Sequence, residues 1–395
     1  MKKSIELNIL IESIKVSLLN KSIDSLKKLL NNEEINWDKL EKMTVYHAIR
    51  PVVYDAFQQL NVQNDFIQTL KKRTFSQSIY NLAATKEFYR LLHLLQQHGI
   101  RVLPYKGLLF ISELYQNQQL RESHDLDLLV HPDDAKRALE ILLEDGYILS
   151  ISHNNLTTNE IIDALLATFN FIEVGLDKKS DLGIDIHIDF HWRLYEESYN
   201  YKIDFEAFFI NTNEKTYNNT TISFPSKETL FLMLLNHHGG RESWVRLKHF
   251  CDLIAFFKTY AFSEKELYNL SANAELKHIF EVGIEIYNHQ FLEKPTILKY
   301  NSVISKIYDY WEIAELWIKL KSRIRFRYIH YLLQDNFSFK KFIRDRYKIY
   351  SIPNLIENPR IITFPNKYNL PNFISKVVTF VWRKTIKTFF IAKKE

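Results

Sequence analysis

At 395 residues the chain is long for one compact unit, and its length predicts two or three. A hydrophobic fraction of 46% and a charged fraction of 25% are typical of a globular protein and exclude a disordered chain. Its 8 glycines and 9 prolines are few, which argues against a loop-rich all-β protein and favours long helices.

The single cysteine, Cys251, excludes an internal disulfide and an all-cysteine zinc site. It also favours a reducing compartment, so we expect a cytoplasmic protein. The N-terminal apolar run is interrupted by Glu6, Asn8, Glu12 and Lys15, a pattern that predicts an amphipathic helix rather than a signal peptide. No run of about 18 apolar residues occurs, so no transmembrane span is predicted.

The first predicted region is helical and covers residues 1–98. Segments such as SIDSLKKLL and NLAATKEFYRLLHLLQQHG repeat apolar residues at intervals of three and four. From Ile100 onward short strands alternate with helices. RVLPY, SHDLDLLV, FIEVGL and GIDIHIDFHWRL are predicted strands, the last two joined as a hairpin through DKKSD, and a further strand begins near Tyr147.

Helices are predicted between these strands, for KGLLFISELY, HPDDAKRALEILLEDG and NEIIDALLATF. After about residue 200 the pattern returns to helices, beginning clearly with SKETLFLMLLNHHGG. The predicted fold class is therefore α+β and mostly helical. A small mixed-sheet unit at 99–200 lies between helical regions at 1–98 and 201–395.

Two aspartates share one face of the strand SHDLDLLV. Asp125 and Asp127 project from this face, while Leu126, Leu128 and Val130 face the core. Two residues of strand advance about 6.6 Å, so both carboxylates can bind one cluster of cations. Nucleotidyl and phosphoryl transfer use such pairs to hold two magnesium ions about 3.5–4 Å apart. A solvated strand face gives the same pattern, and this alternative stays open.

Lys106 and Gly107 lie where RVLPY passes into the helix KGLLFISELY. Backbone N–H groups and the helix dipole at such a junction favour phosphate, and a glycine lets the phosphate approach closely. Lys106 adds a positive charge at the same corner. The sequence therefore predicts a phosphate-binding turn, although a glycine that opens a helix is commonly only a turn.

GIDIHIDFHWRL is a strand with an unusual polar face. Its apolar residues Ile184, Ile186, Ile188 and Phe190 alternate with Asp185, His187, Asp189 and His191. Aspartates and histidines are the ligand types of metal centres, but a polar outer face of a half-buried sheet is the plainer alternative.

These segments resemble those of a known family. PYKGLLFISELY, RESHDLDLLVHPDDAKRALEILLEDGY and IDFHWRL, and more loosely LLNHHGGRESWVRLKHFCDL, resemble the bacterial uncharacterised nucleotidyltransferase family of the DNA polymerase β-like nucleotidyltransferase superfamily. The resemblance covers roughly residues 100–255 and implies a polymerase-β-type core. It implies Asp125, Asp127 and Asp189 as catalytic carboxylates and ligands of two Mg²⁺ ions, with Mn²⁺ as the substitute. Asp185 remains a rival for the third position.

The resemblance further implies that Lys106, Gly107 and Arg121 bind the nucleotide. The broader superfamily usually has Gly-Gly or Gly-Ser where this chain has Lys106-Gly107-Leu108. The later segment HHGGRESWVRLKHFCDL is expected to close the site, and three of its residues are nucleotide-binding candidates. His238 and Arg241 could approach phosphate and Trp244 could stack on a base.

Other roles are open for this segment. Arg246 and Asp252 could pair with one another or with substrate. Helix capping, core packing and an intrahelical ion pair are the alternatives for these residues.

The implied activity is transfer of a nucleoside monophosphate from a nucleoside triphosphate to an acceptor hydroxyl or phosphate. ATP, CTP, GTP and UTP all fit the donor. A small molecule such as a sugar or antibiotic, a glycan precursor, a protein side chain and an RNA end all fit the acceptor. Two other functions stay open: a non-catalytic regulatory or interaction module of the toxin–antitoxin type, and a metal hydrolase or oxygenase that uses His187, Asp189 and His191.

Basic residues concentrate near the end of the chain. A first group lies between Lys319 and Lys348, and a second lies in FISKVVTFVWRKTIKTFFIAKKE, residues 373–395. On a helix the composition of residues 373–395 predicts either peripheral contact with an anionic membrane or packing on the protein's own helices. A solvated face on helices of a Lys-rich protein is the plainer alternative for both groups.

Overall fold

The structure is a computed structural model. It describes residues 3–313, apart from short gaps at 32–33, 61, 63, 152–155, 168–170, 180–182, 196–200, 218–219 and 296–297, and separate residues between 329 and 378. The basic residues at 319–327 lie outside the described residues, and so does almost all of 373–395. The expected membrane contact of that tail therefore remains a prediction.

Five helices form the N-terminal part, as predicted. They are α1 (Ile5–Leu19), α2 (Asp24–Leu30), α3 (Trp37–His47), α4 (Arg50–Gln58) and α5 (Asp65–Gln97). The side chain of Ser4 accepts a hydrogen bond from the first turn of α1, and Asn64 does the same for α5. Such caps satisfy N–H groups that have no partner within the helix. The 33-residue α5 is long enough to lie along the sheet unit that follows.

One mixed sheet of five strands follows α5. Its strands are β1 (Val102–Pro104), β2 (Leu126–Val130), β3 (Ile148–Leu149), β4 (Glu173–Lys179) and β5 (Asp185–His191), in the spatial order β1-β2-β5-β4-β3. β2 and β5 are parallel, and the other neighbours are antiparallel. The predicted hairpin between FIEVGL and GIDIHIDFHWRL is confirmed as the β4–β5 pair.

Three helices connect the strands: α6 (Lys106–Leu114), α7 (Ala135–Glu144) and α8 (Thr158–Ala167). A 3-10 turn over Pro132–Asp134 precedes α7, where proline's missing N–H costs no hydrogen bond. The buried residues of α7 are Ala135, Ala138, Leu139 and Leu142, which recur at helical spacing and face the core.

The part after residue 200 is not entirely helical, and the expectation of helices there is wrong for 212–225. After α9 (Phe205–Ile210) come β6 (Thr212–Tyr217) and β7 (Thr220–Pro225), an antiparallel pair. Threonine, tyrosine, isoleucine and phenylalanine are strand formers, which accounts for the pair. The remaining described helices are α10 (Lys227–Leu235), α11 (Leu247–Thr259), α12 (Glu264–Asn273), α13 (Lys277–Ile286) and α14 (Asn301–Trp311).

The predicted α+β class, mostly helical with a small mixed sheet, is confirmed. One continuous hydrophobic core runs from Leu7 in α1 through the sheet to Trp311 in α14. Cys251 is buried in this core on α11. No helix in the described part of the chain is long and apolar enough to cross a membrane.

Candidate active site

The parallel pairing of β2 and β5 brings two carboxylates side by side. Asp127 lies opposite Asp189 in the register. The side chain of Asp127 is 1% exposed and that of Asp189 is 24% exposed. Asp125 lies just before β2 and is half-buried. Asp185 is exposed and four residues further back on β5, so the register favours Asp189 as the third carboxylate.

Lys106 and Gly107 form the turn that faces these carboxylates. Nζ of Lys106 lies 2.5 Å from Oδ1 of Asp127 and 3.4 Å from Oδ2 of Asp189. Gly107 has φ 30° and ψ −114°, outside helical geometry. A Cβ at this position would lie 2.5 Å from Oδ2 of Asp127, so a side chain would collide with the carboxylate. Glycine is therefore required for the turn to approach the aspartate this closely.

A buried network supports the turn from behind. Arg121 donates Nη1–H to the carbonyl of Gly107 at 2.8 Å, and its Nε and Nη2 donate to the two carboxylate oxygens of Asp252 at 2.7 and 3.0 Å. Asp252 also accepts from the hydroxyl of Tyr115 at 2.7 Å and lies 2.8 Å from Nε2 of His238. Because Asp252 is on α11, this helix fixes the position of the Lys106–Gly107 turn.

A histidine and a second ion pair complete the site at the other end of β5. Nε2 of His191 lies 3.4 Å from Oδ1 of Asp127, and its Nδ1 lies 3.0 Å from Oε2 of Glu173 on β4. Arg241 donates to both oxygens of Glu173, at 2.8 and 2.5 Å. Arg241 belongs to a π-helical turn, Asn236–Arg241, that continues α10 and carries the guanidinium to the sheet.

Burial and crowding of charge set the ionisation of the site. Burial and the nearby Asp125 raise the pKa of Asp127 to about 7 against the opposing effect of Lys106. Burial alone would lower the pKa of Lys106, but the carboxylates of Asp127, Asp125 and Asp189 outweigh it and raise that pKa. The site therefore concentrates negative charge around one buried ammonium group.

The pKa values of two residues beside this cluster, Glu173 and His191, are lowered. Burial alone would raise the pKa of Glu173, but the hydrogen bond from Arg241 and the charges nearby lower it to about 2. Burial and the charge of Lys106 lower the pKa of His191 to about 3. At neutral pH the site thus contains an ionised Glu173 beside a neutral imidazole.

The donor atoms fit a divalent cation. Asp127, Asp189 and His191 each offer one ligand atom, and these atoms all lie within 4.8 Å of one another. Carboxylate oxygens suit magnesium and manganese, and an imidazole nitrogen suits transition metals. Asp125 is not in this compact group, so its predicted role as a metal ligand remains a prediction.

Three of the predicted nucleotide-binding residues are buried. Trp244 is fully buried and donates its Nε1–H to the carbonyl of Ile279 at 3.1 Å, so stacking on a base does not fit its position. Arg121 and His238 are also buried, and both bind Asp252. Contact of these two residues with phosphate remains a prediction. Of the three candidates in the later segment, the structure brings Arg241 to the site.

Other expected pairings also differ. Asp252 pairs with Arg121 and not with Arg246, whose guanidinium lies over the ring of Tyr46. The proposed hydrolase set of His187, Asp189 and His191 is not the group that the fold assembles. His187 is half-exposed and its Nδ1 lies 2.6 Å from Oδ1 of Asp177, while Asp127 takes its place beside Asp189 and His191.

Glu173 is not among the residues predicted from the sequence, and His191 is predicted only as a ligand in the hydrolase alternative. A signal for Glu173 exists in the β4–β5 hairpin. The antiparallel register pairs Glu173 with His191, Gly175 with Asp189 and Asp177 with His187, all on one face. Extending the polar alternation of β5 across the predicted hairpin would have placed Glu173 beside the site.

No curated protein matches the chain. The chain is similar to an antigenic nucleotidyltransferase-like protein from Paracoccidioides brasiliensis, whose crystal structure is known. The match is 12% identical, covers 50% of this chain and 85% of the other, and has a TM-score of 0.29. So low a TM-score supports no conclusion by itself. A family model described as "Uncharacterised nucleotidyltransferase" matches residues 33–291, well over half of the chain, and the chain belongs to this nucleotidyltransferase family.

Proposed function

We propose that the protein transfers a nucleoside monophosphate from a nucleoside triphosphate to an acceptor hydroxyl or phosphate. The observation that carries this proposal is the placement of Asp127 and Asp189 side by side, facing the Lys106–Gly107 turn. In the reaction an acceptor oxygen forms a bond to the α-phosphorus. The bond from that phosphorus to pyrophosphate breaks, and the acceptor's proton is released.

Each group has a role that follows from its position. Asp125, Asp127 and Asp189 would hold two Mg²⁺ ions, with Mn²⁺ as the substitute, and such ions stabilise the attacking and leaving oxygens. The carboxylate of Asp189, partly exposed, would accept the proton of the acceptor. The ammonium of Lys106 and the guanidinium of Arg241 would neutralise phosphate charge.

The non-catalytic alternative is weakened by the same geometry. A buried cluster of carboxylates around one ammonium costs stability, because burial disfavours charged groups, and a functional role accounts for its presence. Buried acids with strongly shifted pKa values are typical of functional sites. An interaction module would have no need of this cluster.

The test is a transfer assay with each nucleoside triphosphate labelled at the α-phosphate, against panels of sugars, proteins and RNA. We expect transfer that requires a divalent ion. Asp127→Asn and Asp189→Asn should lower kcat by at least about a hundredfold, since each removes a group used in the chemical step.

Asp185→Asn is the matched control, because Asp185 lies on the same face of β5 but is exposed. It should leave kcat within about twofold, since exposed substitutions away from a site have small effects. Equal losses for Asp185 and Asp189, or folded wild-type protein that neither binds nucleotide nor releases pyrophosphate, would contradict the proposal.

A further inference from the structure

His191 has a carboxylate beside each of its ring nitrogens. Nδ1 lies 3.0 Å from Oε2 of Glu173, and Nε2 lies 3.4 Å from Oδ1 of Asp127. The Nδ1 contact is close but not aligned as a hydrogen bond. The side chain is 1% exposed, so the ring has no access to water that could satisfy it. A buried imidazole between two acids is an unusual arrangement that calls for a physical reason.

The state of Glu173 fixes the state of the ring. Glu173 is held by both nitrogens of the Arg241 guanidinium, so it is a carboxylate and can only accept hydrogen bonds. A neutral imidazole has one N–H and one lone pair. Without a metal, Nε2 lies in hydrogen-bonding geometry 3.4 Å from Oδ1 of Asp127 and can donate its proton there. When a metal ion takes that place, the proton lies on Nδ1, which faces Glu173, and Nε2 presents its lone pair.

A lone pair on Nε2 beside the Asp127 carboxylate is favourable only when a cation lies between them. In this structure the ammonium of Lys106 neutralises Asp127, at 2.5 Å from its Oδ1. A metal ion would satisfy all three groups at once, because the donor atoms of Asp127, Asp189 and His191 lie within 4.8 Å of one another. Imidazole ligands of metals usually donate their other N–H to a carboxylate, which is the position of Glu173.

We propose that Asp127, Asp189 and His191 form a mixed oxygen–nitrogen site for a first-row transition-metal dication such as Mn²⁺, with Glu173 as the positioning residue for His191. This site shares Asp127 and Asp189 with the magnesium site of the proposed function and differs from it by a nitrogen ligand. The proposal rests on the proposed function for what the ion does, but not for whether the ion binds.

The choice of metal follows from the donor set. Mg²⁺ is a hard ion that prefers oxygen ligands and keeps several waters. A nitrogen ligand adds affinity for transition metals, so the nucleotide-free protein should bind Mn²⁺ at least about tenfold more tightly than Mg²⁺.

The experiment is Mn²⁺ binding to the full-length protein without nucleotide, followed by calorimetry and by electron spin-echo spectroscopy. We expect modulation from a directly bound imidazole nitrogen, which changes when the protein is labelled with ¹⁵N-histidine. His191→Asn should remove the modulation and abolish the preference for Mn²⁺ over Mg²⁺.

His187→Asn is the matched control. His187 lies on the same face of β5 with its Nε2 3.4 Å from Oδ1 of Asp189, but Asp177 holds its other nitrogen and it is not in the compact group. This variant should keep both the modulation and the preference. Glu173→Gln should keep the modulation but weaken Mn²⁺ binding by about 10–100-fold, the usual effect of removing a carboxylate behind a metal-bound histidine.

The outcomes separate the two proposals. Mn²⁺ bound without nitrogen modulation in the wild-type protein would overturn the inference, even if transfer occurs, and would make His191 a structural residue. Nitrogen-coupled Mn²⁺ without transfer of any nucleotide would keep the inference and overturn the proposed function. The wild-type isotope result decides the matter if His191→Asn does not fold.

Discussion

Lys106 adopts a backbone conformation that lysine rarely takes, with φ 27°, immediately before a glycine with φ 30°. Backbone strain of this kind costs on the order of 1–3 kcal/mol and persists where the surroundings enforce it. Here the strain directs the ammonium into the carboxylate cluster, where it is the nearest cation to Asp127. The metal-free protein thus contains its own counter-ion at the place where we propose that a metal binds.

Lys106→Met should destabilise the metal-free protein by about 3 kcal/mol, because it leaves buried carboxylates without a cation. Added Mn²⁺ should raise the melting temperature of this variant more than that of the wild type, since the ion replaces the lost ammonium. Thermal melts with and without Mn²⁺, after removal of metal by a chelator, provide the measurement. Equal metal-induced shifts in the two proteins would show that the ammonium and the ion do not share the carboxylates.

The sequence was sufficient to predict the residues that carry a local pattern. Asp125, Asp127 and Asp189 stand out because strand alternation separates them from apolar neighbours. Glu173 lies in no such pattern, since its proximity to the site depends on the register between two strands. Trp244 and His238 are predicted to bind the nucleotide because aromatic and basic residue types are typical of binding sites. Burial in the tertiary structure decides their role, and local sequence does not encode it.

At the scale of elements, α11 supports the site without contributing a side chain to it. Asp252 on this helix binds Arg121, and Arg121 binds the carbonyl of Gly107. The side chains of Arg121 and Asp252 are 10% and 1% exposed, so removal of either partner lowers the stability of the protein. Most elements of the sheet unit were predictable from periodicity. This link between α6 and α11 was not, because its partners lie far apart in the chain.

Arg121→Met should lower the free energy of unfolding by about 3–5 kcal/mol, because the carboxylate of Asp252 loses its main partner inside the protein. Chemical denaturation followed by circular dichroism measures the loss. Lys136→Met is the control, since it breaks the exposed ion pair with Asp163, whose side chain is 59% exposed, and should change stability little. A comparable loss for both variants would mean that the buried network contributes no more than a surface pair.

In the part of the chain that the structure describes, one hydrophobic core is shared by all three predicted regions. From α5, Asn81 and Tyr80 donate to the carbonyls of Arg121 and His124, at 3.1 and 2.7 Å. These bonds hold the chain just before Asp125 from the N-terminal side, while α11 holds it from the C-terminal side. The boundaries at 98 and 200 remain predictions, but the site depends on helices from both flanking regions.

A fragment of residues 99–200 should therefore not fold alone, although it contains the whole five-stranded sheet. The fragment would expose the apolar surfaces that α5 and α11 cover. It would also leave the guanidinium of Arg121 without its carboxylate partner, Asp252. Near-ultraviolet circular dichroism and amide hydrogen exchange of the fragment measure this. A cooperative melt and native-like protection would show an independent domain. The full chain should unfold in one transition.

The reactivity of the buried Cys251 can report local unfolding around α11. It is the chain's one cysteine, it follows Phe250 in the core of α11, and it directly precedes Asp252. Burial raises the pKa of its thiol, so the folded protein should resist alkylation. A reagent can label Cys251 only while α11 is detached from the sheet unit. The labelling rate therefore measures how often α11 releases the Lys106–Gly107 turn. No engineered probe is needed.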